Sequence, residues 1–343
     1  MDNKGNTRLY RKTKRKKRKR LVIILPFLII LISILSYGGF LYWKAHSAIS
    51  DSFEDIGRNK SDLREKIVDP TKDNISILII GVDSSEARKE RGNNLSDTLM
   101  LATLNKHENS VKLLSIPRDT YVYVPAIGEK TKINHAHSKG GAKATIETVE
   151  NLLEVPIDYY VSINFEAFIE IVDALGGITV DVPYEFAELD SKEKSLIFLK
   201  PGVQKLNGEE ALALARTRKL DNDIERGKRQ QEIIKAIIKK AVSVGSITKY
   251  DDVIEAVGNN MKTNMTFGEM RGLASYGLND KNLAIESLTL KGSDYKPGKT
   301  YYYKLDEESL EETKQLLVNH LELDNSKTAI NDDSNDNISS DQN

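Results

Sequence analysis

Residues 21–43, LVIILPFLIILISILSYGGFLYW, contain no charged side chain, and this stretch constrains the rest of the chain more than any other. As a helix rising about 1.5 Å per residue it is long enough to cross a hydrocarbon core of about 30 Å. Tyr42 and Trp43 close it, where aromatic side chains favour the membrane interface. Residues 1–20 carry eleven Lys or Arg and a single acid, a flank that stays in the cytoplasm and directs residues 44–343 outward. The expectation is a single-pass signal anchor at 21–43 behind a basic cytoplasmic tail at 1–20. A cleaved signal peptide fits less well, because both regions are long and no small-x-small site follows before Lys44. The other reading of RKTKRKKRKR is a nucleic-acid arm, but its position against an apolar span explains the charge as topology. No nucleic-acid partner is expected.

The 343 residues have a net charge of −1, so the part beyond the basic tail is acidic by balance. There are no cysteines, which excludes disulfides, thiol chemistry and cysteine-ligated zinc or iron–sulfur centres. An exported domain without disulfides suits a bacterial cell surface better than a eukaryotic secretory route.

Residues 44–73 are polar and read as a juxtamembrane stalk, and the folded domain is expected over 74–323. NISILIIGVD is a buried strand by its β-branched run. DTLMLATLN and SVKLLSIPRD follow as second and third strands, separated by the turn-like NKHEN. That short turn favours an antiparallel pair. If the first two strands are antiparallel as well, Asp83, Asp97, Arg118 and Asp119 fall on one sheet edge. The segment with Tyr121 and Tyr123 reads as a loop, and AKATIETVENLLEV as a helix after Gly140 and Gly141. A strand at 158–164, a helix closed by Gly176 and Gly177 and the strand ITVDVP come next. Residues 184–207 read as a loop, 207–216 as a helix, and TKYDDVIEAVGNNMKTN and TFGEMRGLASYGLND as two more helices. LAIESLTL is a late strand, YKPGKTYYYKL a loop with an edge strand, and DEESLEETKQLLVNHLEL a final helix. The polar tail 324–343 has a composition expected to be disordered. Interleaved strands and helices imply one α/β domain, layered α/β/α, with a mixed sheet flanked by helices.

Chemistry concentrates in ALALARTRKLDNDIERGKRQQ, residues 211–231. Arginine presents a planar fork of donors that matches phosphate oxygens two at a time. From Asp223 the pattern is helical, and Asp223, Arg226 and Gln230 share a face at i, i+3 and i+7. An extended segment bearing Arg216 and Arg218 could join that helix start around one anion. The plainer reading is a solvated charged helix with Asp223 as its N-cap. The sequence has no G-x-S-x-G, H-E-x-x-H, Walker A or G-x-G-x-x-G pattern. Ser84 and Ser96 lack a partnered histidine, and His135 and His137 lack a third metal ligand. What remains is acidic residues at strand ends plus arginines, a set suited to Mg²⁺ and phosphate.

The order GVDSS, SDTLMLATLN, LLSIPRDT, KINHAHSKGG, VDALGGITVDVP and ALALARTRKLDNDIERGKRQQ behind a signal anchor resembles the LytR–CpsA–Psr family over about residues 72–325. The resemblance implies a surface phosphotransferase that moves a glycopolymer, such as wall teichoic acid or capsule, from an undecaprenyl-pyrophosphate carrier to peptidoglycan. It implies that Asp83 and Asp97 hold the metal, Mg²⁺ or Mn²⁺. Arg118, Arg216, Arg218, Arg226 and Gln230 match the pyrophosphate-binding set, with Arg229 in the same motif. Asp97 and Arg118 are the expected catalytic pair, and membrane lipid an expected partner. The family's lipid tail lies in an apolar channel, for which the apolar faces of 142–153, 164–175 and 233–244 are candidates. Leu95 stands where many relatives carry Arg, and Arg91 lies four residues earlier. A regulator that binds lipid-linked precursors without turnover, and a hydrolase with water as acceptor, are the alternatives.

Overall fold

The computed structural model describes Ser36 and residues 52–82, 95–218, 223–243, 260–266, 268–270, 272–273 and 283–323. The basic tail, the expected span at 21–43 apart from Ser36, and the tail 324–343 lie outside the described residues. Among the described residues no helix is long and apolar enough to cross a membrane.

Strand β1 (Ile75–Val82) is apolar on both faces, as a strand covered by layers on both sides must be. It pairs antiparallel with β2 (Ser96–Asn105), Ile77 opposite Ala102. In turn β2 pairs antiparallel with β3 (Ser110–Ile116), Leu101 opposite Leu114. Parallel neighbours flank this meander: β6 (Tyr159–Ile163) on β1 and β12 (Ala284–Thr289) on β3. The six-stranded mixed sheet runs β11-β6-β1-β2-β3-β12, with β11 (Met261–Thr263) antiparallel to β6. Side-chain alternation sorts the core. Leu78, Ile80, Leu99, Leu101, Leu114 and Ile116 form one cluster with residues of helices α1 (His135–Leu153) and α5 (Glu307–His320). Met100, Ala102 and Leu113 join a second cluster with Ile234 and Ile238 of α4 (Asp223–Ala241). Each fully buried Leu or Ile contributes about 1.5–3 kcal/mol. The expected three layers are therefore present.

A smaller lobe follows β6. Asn164 caps helix α2 (Phe165–Ala174) by accepting from the Ala167 N–H. Gly177, at φ +86°, ends the turn after it, where an added Cβ would lie 2.7 Å from the Leu206 carbonyl oxygen. Strand β7 (Ile178–Val182) pairs with β10 (Gly202–Leu206), and β8 (Phe186–Leu189) with β9 (Leu196–Leu199). A capping box between Asn207 and Glu210 starts α3 (Gly208–Arg216). Residues of these elements bury one continuous cluster with Ile233 of α4.

Several expectations are corrected. Residues 184–207 hold three strands rather than a loop; β8 and β9 are four residues each, too short for alternation to register. The Tyr121 region is a hairpin of β4 (Tyr121–Val124) and β5 (Glu129–Lys132), and β13 (Gly292–Tyr295) pairs with β14 (Tyr302–Leu305). Met261–Thr263 is a strand where a helix was expected. The kinked helix α1 begins at His135, with non-helical Gly140 and Gly141 inside it. The described part of the expected stalk is bound into the domain, with Val68 in a core cluster beside Ile75 and Tyr159. Arg58 there bonds Glu150, and Arg64 bonds Asp158.

Candidate active site

Two antiparallel turns of chain bring the end of β1, the start of β2 and the end of β3 to one edge. Val82 pairs with Ser96 across a bulge at Gly81/Val82, and Leu99 with Ile116. Asp97 and Arg118 therefore meet: Arg118 Nη1 donates to Asp97 Oδ1 at 2.5 Å. Asp83, Ser84 and Arg91 lie outside the described residues.

Helix α4 supplies the next wall. Gly227 faces β3 so closely that an added Cβ would sit 2.7 Å from Ser115 Oγ. A methyl group at 227 would require the Ser115 hydroxyl to rotate or the helix start to shift. With glycine there, Asp223 Oδ2 comes 3.6 Å from Arg118 Nε, and Asp119 Oδ2 lies 3.8 Å from the same nitrogen. Both separations exceed a hydrogen bond, and the buried Nε has no hydrogen-bond partner. Asp223 also meets Arg226 Nη1 at 3.1 Å and Arg218 Nε at 3.6 Å. Lys132 Nζ bonds Asp119 Oδ1 at 2.7 Å. Arg216 stacks on the Phe165 ring, 5.0 Å from its centroid. Burial holds the Asp223 carboxyl above the usual carboxylate range; Arg218 and Arg118 oppose the shift and the neighbouring Asp119 carboxylate adds to it. Cations outnumber carboxylates here, and several donors are only loosely engaged. An anion with many oxygens would satisfy them.

Several of these residues, but not Asp119, Lys132 or Asp223, line a cavity of about 310 Å³. Asp97, Arg118, Arg216, Arg218, Arg226 and Gln230 form the charged end, and Ile79, Met100, Phe165, Phe168, Ile233 and Ile234 are among its apolar lining. Such a space fits an amphiphile with an anionic head and a hydrocarbon chain. Of the three apolar faces proposed for a channel, 164–175 and 233–244 contribute. The face of 142–153 does not: Ile146, Val149 and Leu153 pack into the core cluster on the opposite side of the sheet.

Arg229 requires a correction. It is buried and turned away from the cavity, donating from Nη2 to the Thr217 carbonyl at 2.5 Å and from Nε to that of Leu214 at 3.3 Å. Gln230 lines the cavity and donates to the Ala215 carbonyl at 3.2 Å. Both tie α4 to the C-terminal end of α3, where free carbonyls attract donors, and so fix where Arg216 and Arg218 emerge. His135 Nδ1 lies 2.9 Å from Thr131 Oγ1, and burial, then Lys132, lower its pKa. Among the described residues no group of three acidic or histidine side chains is placed to hold a metal. Sequence reasoning passed over Lys132; its signal was the hairpin register opposite Tyr121, just beyond β3.

Comparison with known proteins agrees with this geometry. A Bacillus subtilis (strain 168) protein named polyisoprenyl-teichoic acid–peptidoglycan teichoic acid transferase TagT is 38% identical over 316 residues, covering 91% of this chain and 97% of that one. A solved structure of TagT bound to LIIa-WTA superposes with a TM-score of 0.65 at 39% identity, covering 78% of this chain and 98% of that chain. Another, described as a LytR-CPS2A-psr family protein with bound octaprenyl pyrophosphate lipid, gives 0.61 at 36% identity with the same coverage. The LytR_cpsA_psr family model matches residues 40–319; spanning as it does both the arginine-lined cavity and the sheet that builds it, that match places this chain in the LytR_cpsA_psr family.

Proposed function

We infer that this chain is a transferase that moves an anionic glycopolymer of the teichoic acid type from an undecaprenyl-pyrophosphate carrier to peptidoglycan. The cavity carries the reading, because its two ends match the two parts of such a donor. Arg118, Arg216, Arg218 and Arg226 surround the pyrophosphate, and the apolar end takes the first isoprene units. A hydroxyl of the peptidoglycan sugar attacks the phosphorus next to the glycopolymer. A new P–O bond forms, the bond to the bridging oxygen breaks, and lipid phosphate leaves with that electron pair. The hydroxyl proton passes to Asp97, the carboxylate bonded to Arg118. The arginines stabilise charge where it builds up on the departing phosphate.

Mg²⁺ is held by one or two carboxylates plus water and phosphate, and Asp97 at the cavity's charged end fits that modest requirement, with Asp83 as its partner. Bound there, Mg²⁺ or Mn²⁺ would neutralise pyrophosphate charge. The uncharged stretch 21–43 and its basic flank support an anchored chain whose catalytic domain faces outward.

The test incubates the full-length chain in detergent with a synthetic lipid-pyrophosphate-sugar donor and peptidoglycan oligomers, with and without Mg²⁺, and follows products by mass spectrometry. Sugar phosphate on the peptidoglycan is the expected product. Donor binding without turnover under any metal would replace this reading with a regulator, and donor loss without attachment with a hydrolase.

A further inference from the structure

Beyond Arg118 the charged edge continues into two hairpins that the reaction has not yet used. The β4–β5 register sets Tyr121 opposite Lys132 and Tyr123 opposite Lys130, so these four share one face. In β13–β14, Tyr295 faces Tyr302 and Ser293 faces Lys304. Three of the rings cluster: Tyr121 lies 4.8 Å from Tyr302 and 5.3 Å from Tyr295, centroid to centroid. The second hairpin is fixed to the site edge, since the Tyr303 N–H donates to the Asp119 carbonyl at 2.8 Å. Lys132, bonded to Asp119, lies 5.9 Å from the centroid of the Tyr301 ring. A continuous path therefore leads from Arg118 through Asp119 and Lys132 onto a tyrosine face.

Charge distinguishes this face from an ordinary aromatic cluster. Lys130, Lys296, Lys299 and Lys304 are all exposed, and among the described residues none of them has an acidic partner. Unpaired lysines beside half-buried tyrosines suit a polymer that alternates sugar rings and phosphates. Ring C–H faces pack on aromatic side chains, and lysine ammonium groups meet phosphates as mobile point charges.

We propose that the β4–β5 and β13–β14 hairpins form a subsite for the sugar-phosphate chain of the donor, just beyond its pyrophosphate link. This rests on the transferase reading and names the part of the substrate that the cavity does not hold. The cavity's apolar end takes the lipid, so the polymer must leave past Arg118, and the lysine–tyrosine face lies on that side.

The test compares the full-length chain with a Lys130→Ser/Lys296→Ser/Lys304→Ser variant on two donors. Both carry the same lipid pyrophosphate; one bears a neutral disaccharide, the other that disaccharide extended by several glycerol-phosphate units. Three exposed charge contacts of a few-fold each predict a KM for the extended donor raised about tenfold in the variant. The short donor's KM, kcat on both donors and the melting temperature stay unchanged. An unchanged KM for the extended donor, an equal rise for both donors, or a rise confined to the peptidoglycan acceptor would overturn the subsite. A second arm needs no turnover: calorimetric titration with free poly(glycerol phosphate) gives salt-sensitive binding to the unmodified chain, about tenfold weaker in the variant. No binding to the unmodified chain contradicts the proposal. If neither donor is consumed, the transferase reading fails while the calorimetric arm still decides the subsite.

Discussion

Two partly buried ionic clusters in this domain use the same residue types and end in opposite states. In the first, Arg58 holds Glu150 with two bonds of 2.7 Å and the Ile157 carbonyl with a third, and Glu150 also accepts from Ser61 and the Ile157 N–H. Beside it Arg64 grips Asp158 at 2.9 and 2.7 Å, and Asp158 accepts from the Ser76 N–H as well. Nearly every donor there has an acceptor. In the second cluster Arg118 reaches Asp97, while Asp119 and Asp223 stand 3.8 and 3.6 Å from a nitrogen that bonds nothing. The satisfied cluster fastens residues 52–64 to the domain. The unsatisfied one leaves Arg118 Nε without a hydrogen-bond partner beside two carboxylates at 3.6 and 3.8 Å, which is the condition an incoming anion can complete.

The largest expected effect breaks that contrast from the site's side. Arg118→Ala should reduce transfer about 10²–10³-fold, as removing one preorganised donor to developing charge does. Its melting temperature should move by no more than about 2 °C, because little satisfied bonding is lost. The mirror experiment is Glu150→Ala, which takes two of Arg58's three hydrogen bonds and also deprives the Ser61 hydroxyl and the Ile157 N–H of their acceptor. A cost of about 3–5 kcal/mol is expected, seen as a fall in melting temperature of about 10 °C, with kcat/KM below that temperature nearly unchanged. If the two substitutions exchanged effects, the distinction between clusters would be wrong.

Arg229 lies between these extremes. Replacing it with Met keeps the apolar stem over Tyr184 and removes the bonds to Leu214 and Thr217. Two hydrogen bonds from a charged donor predict a loss of about 2–4 kcal/mol in stability by denaturant titration, with KM for the donor rising more than kcat falls. This residue also shows what the sequence could and could not tell. The i, i+3, i+7 spacing of Asp223, Arg226 and Gln230 picked out two cavity residues and the carboxylate that holds Arg226. Arg229 entered with the family motif, but adjacent helical residues point about 100° apart, so it could not share the face of Gln230. The meander β1–β3 was legible because its strands are long, β-branched and joined by a short turn, and that alone placed Asp97 beside Arg118. The strands of 184–207 were not legible, being four or five residues each. Nor was the packing of residues 52–73, which depends on Glu150 and Asp158, about a hundred positions away in sequence.

The smallest effect concerns Asp223. Its carboxyl titrates above its ordinary range when folded, so the folded chain holds that proton more tightly than the unfolded one. Stabilisation from this group is then full below about pH 3.9 and is lost as the pH rises through the folded pKa. Asp223→Asn removes that loss. The melting temperature of the variant minus that of the unmodified chain should become more positive between pH 4 and pH 7, by a few degrees at most. A difference that falls with pH would mean the surrounding arginines outweigh burial.

The most direct test of the account is calorimetric titration of the full-length chain in detergent with octaprenyl pyrophosphate, alongside Arg118→Ala and, below its melting temperature, Glu150→Ala. The account predicts saturable binding, about 100-fold weaker in Arg118→Ala and unchanged in Glu150→Ala. Equal affinity for the unmodified chain and Arg118→Ala would contradict it.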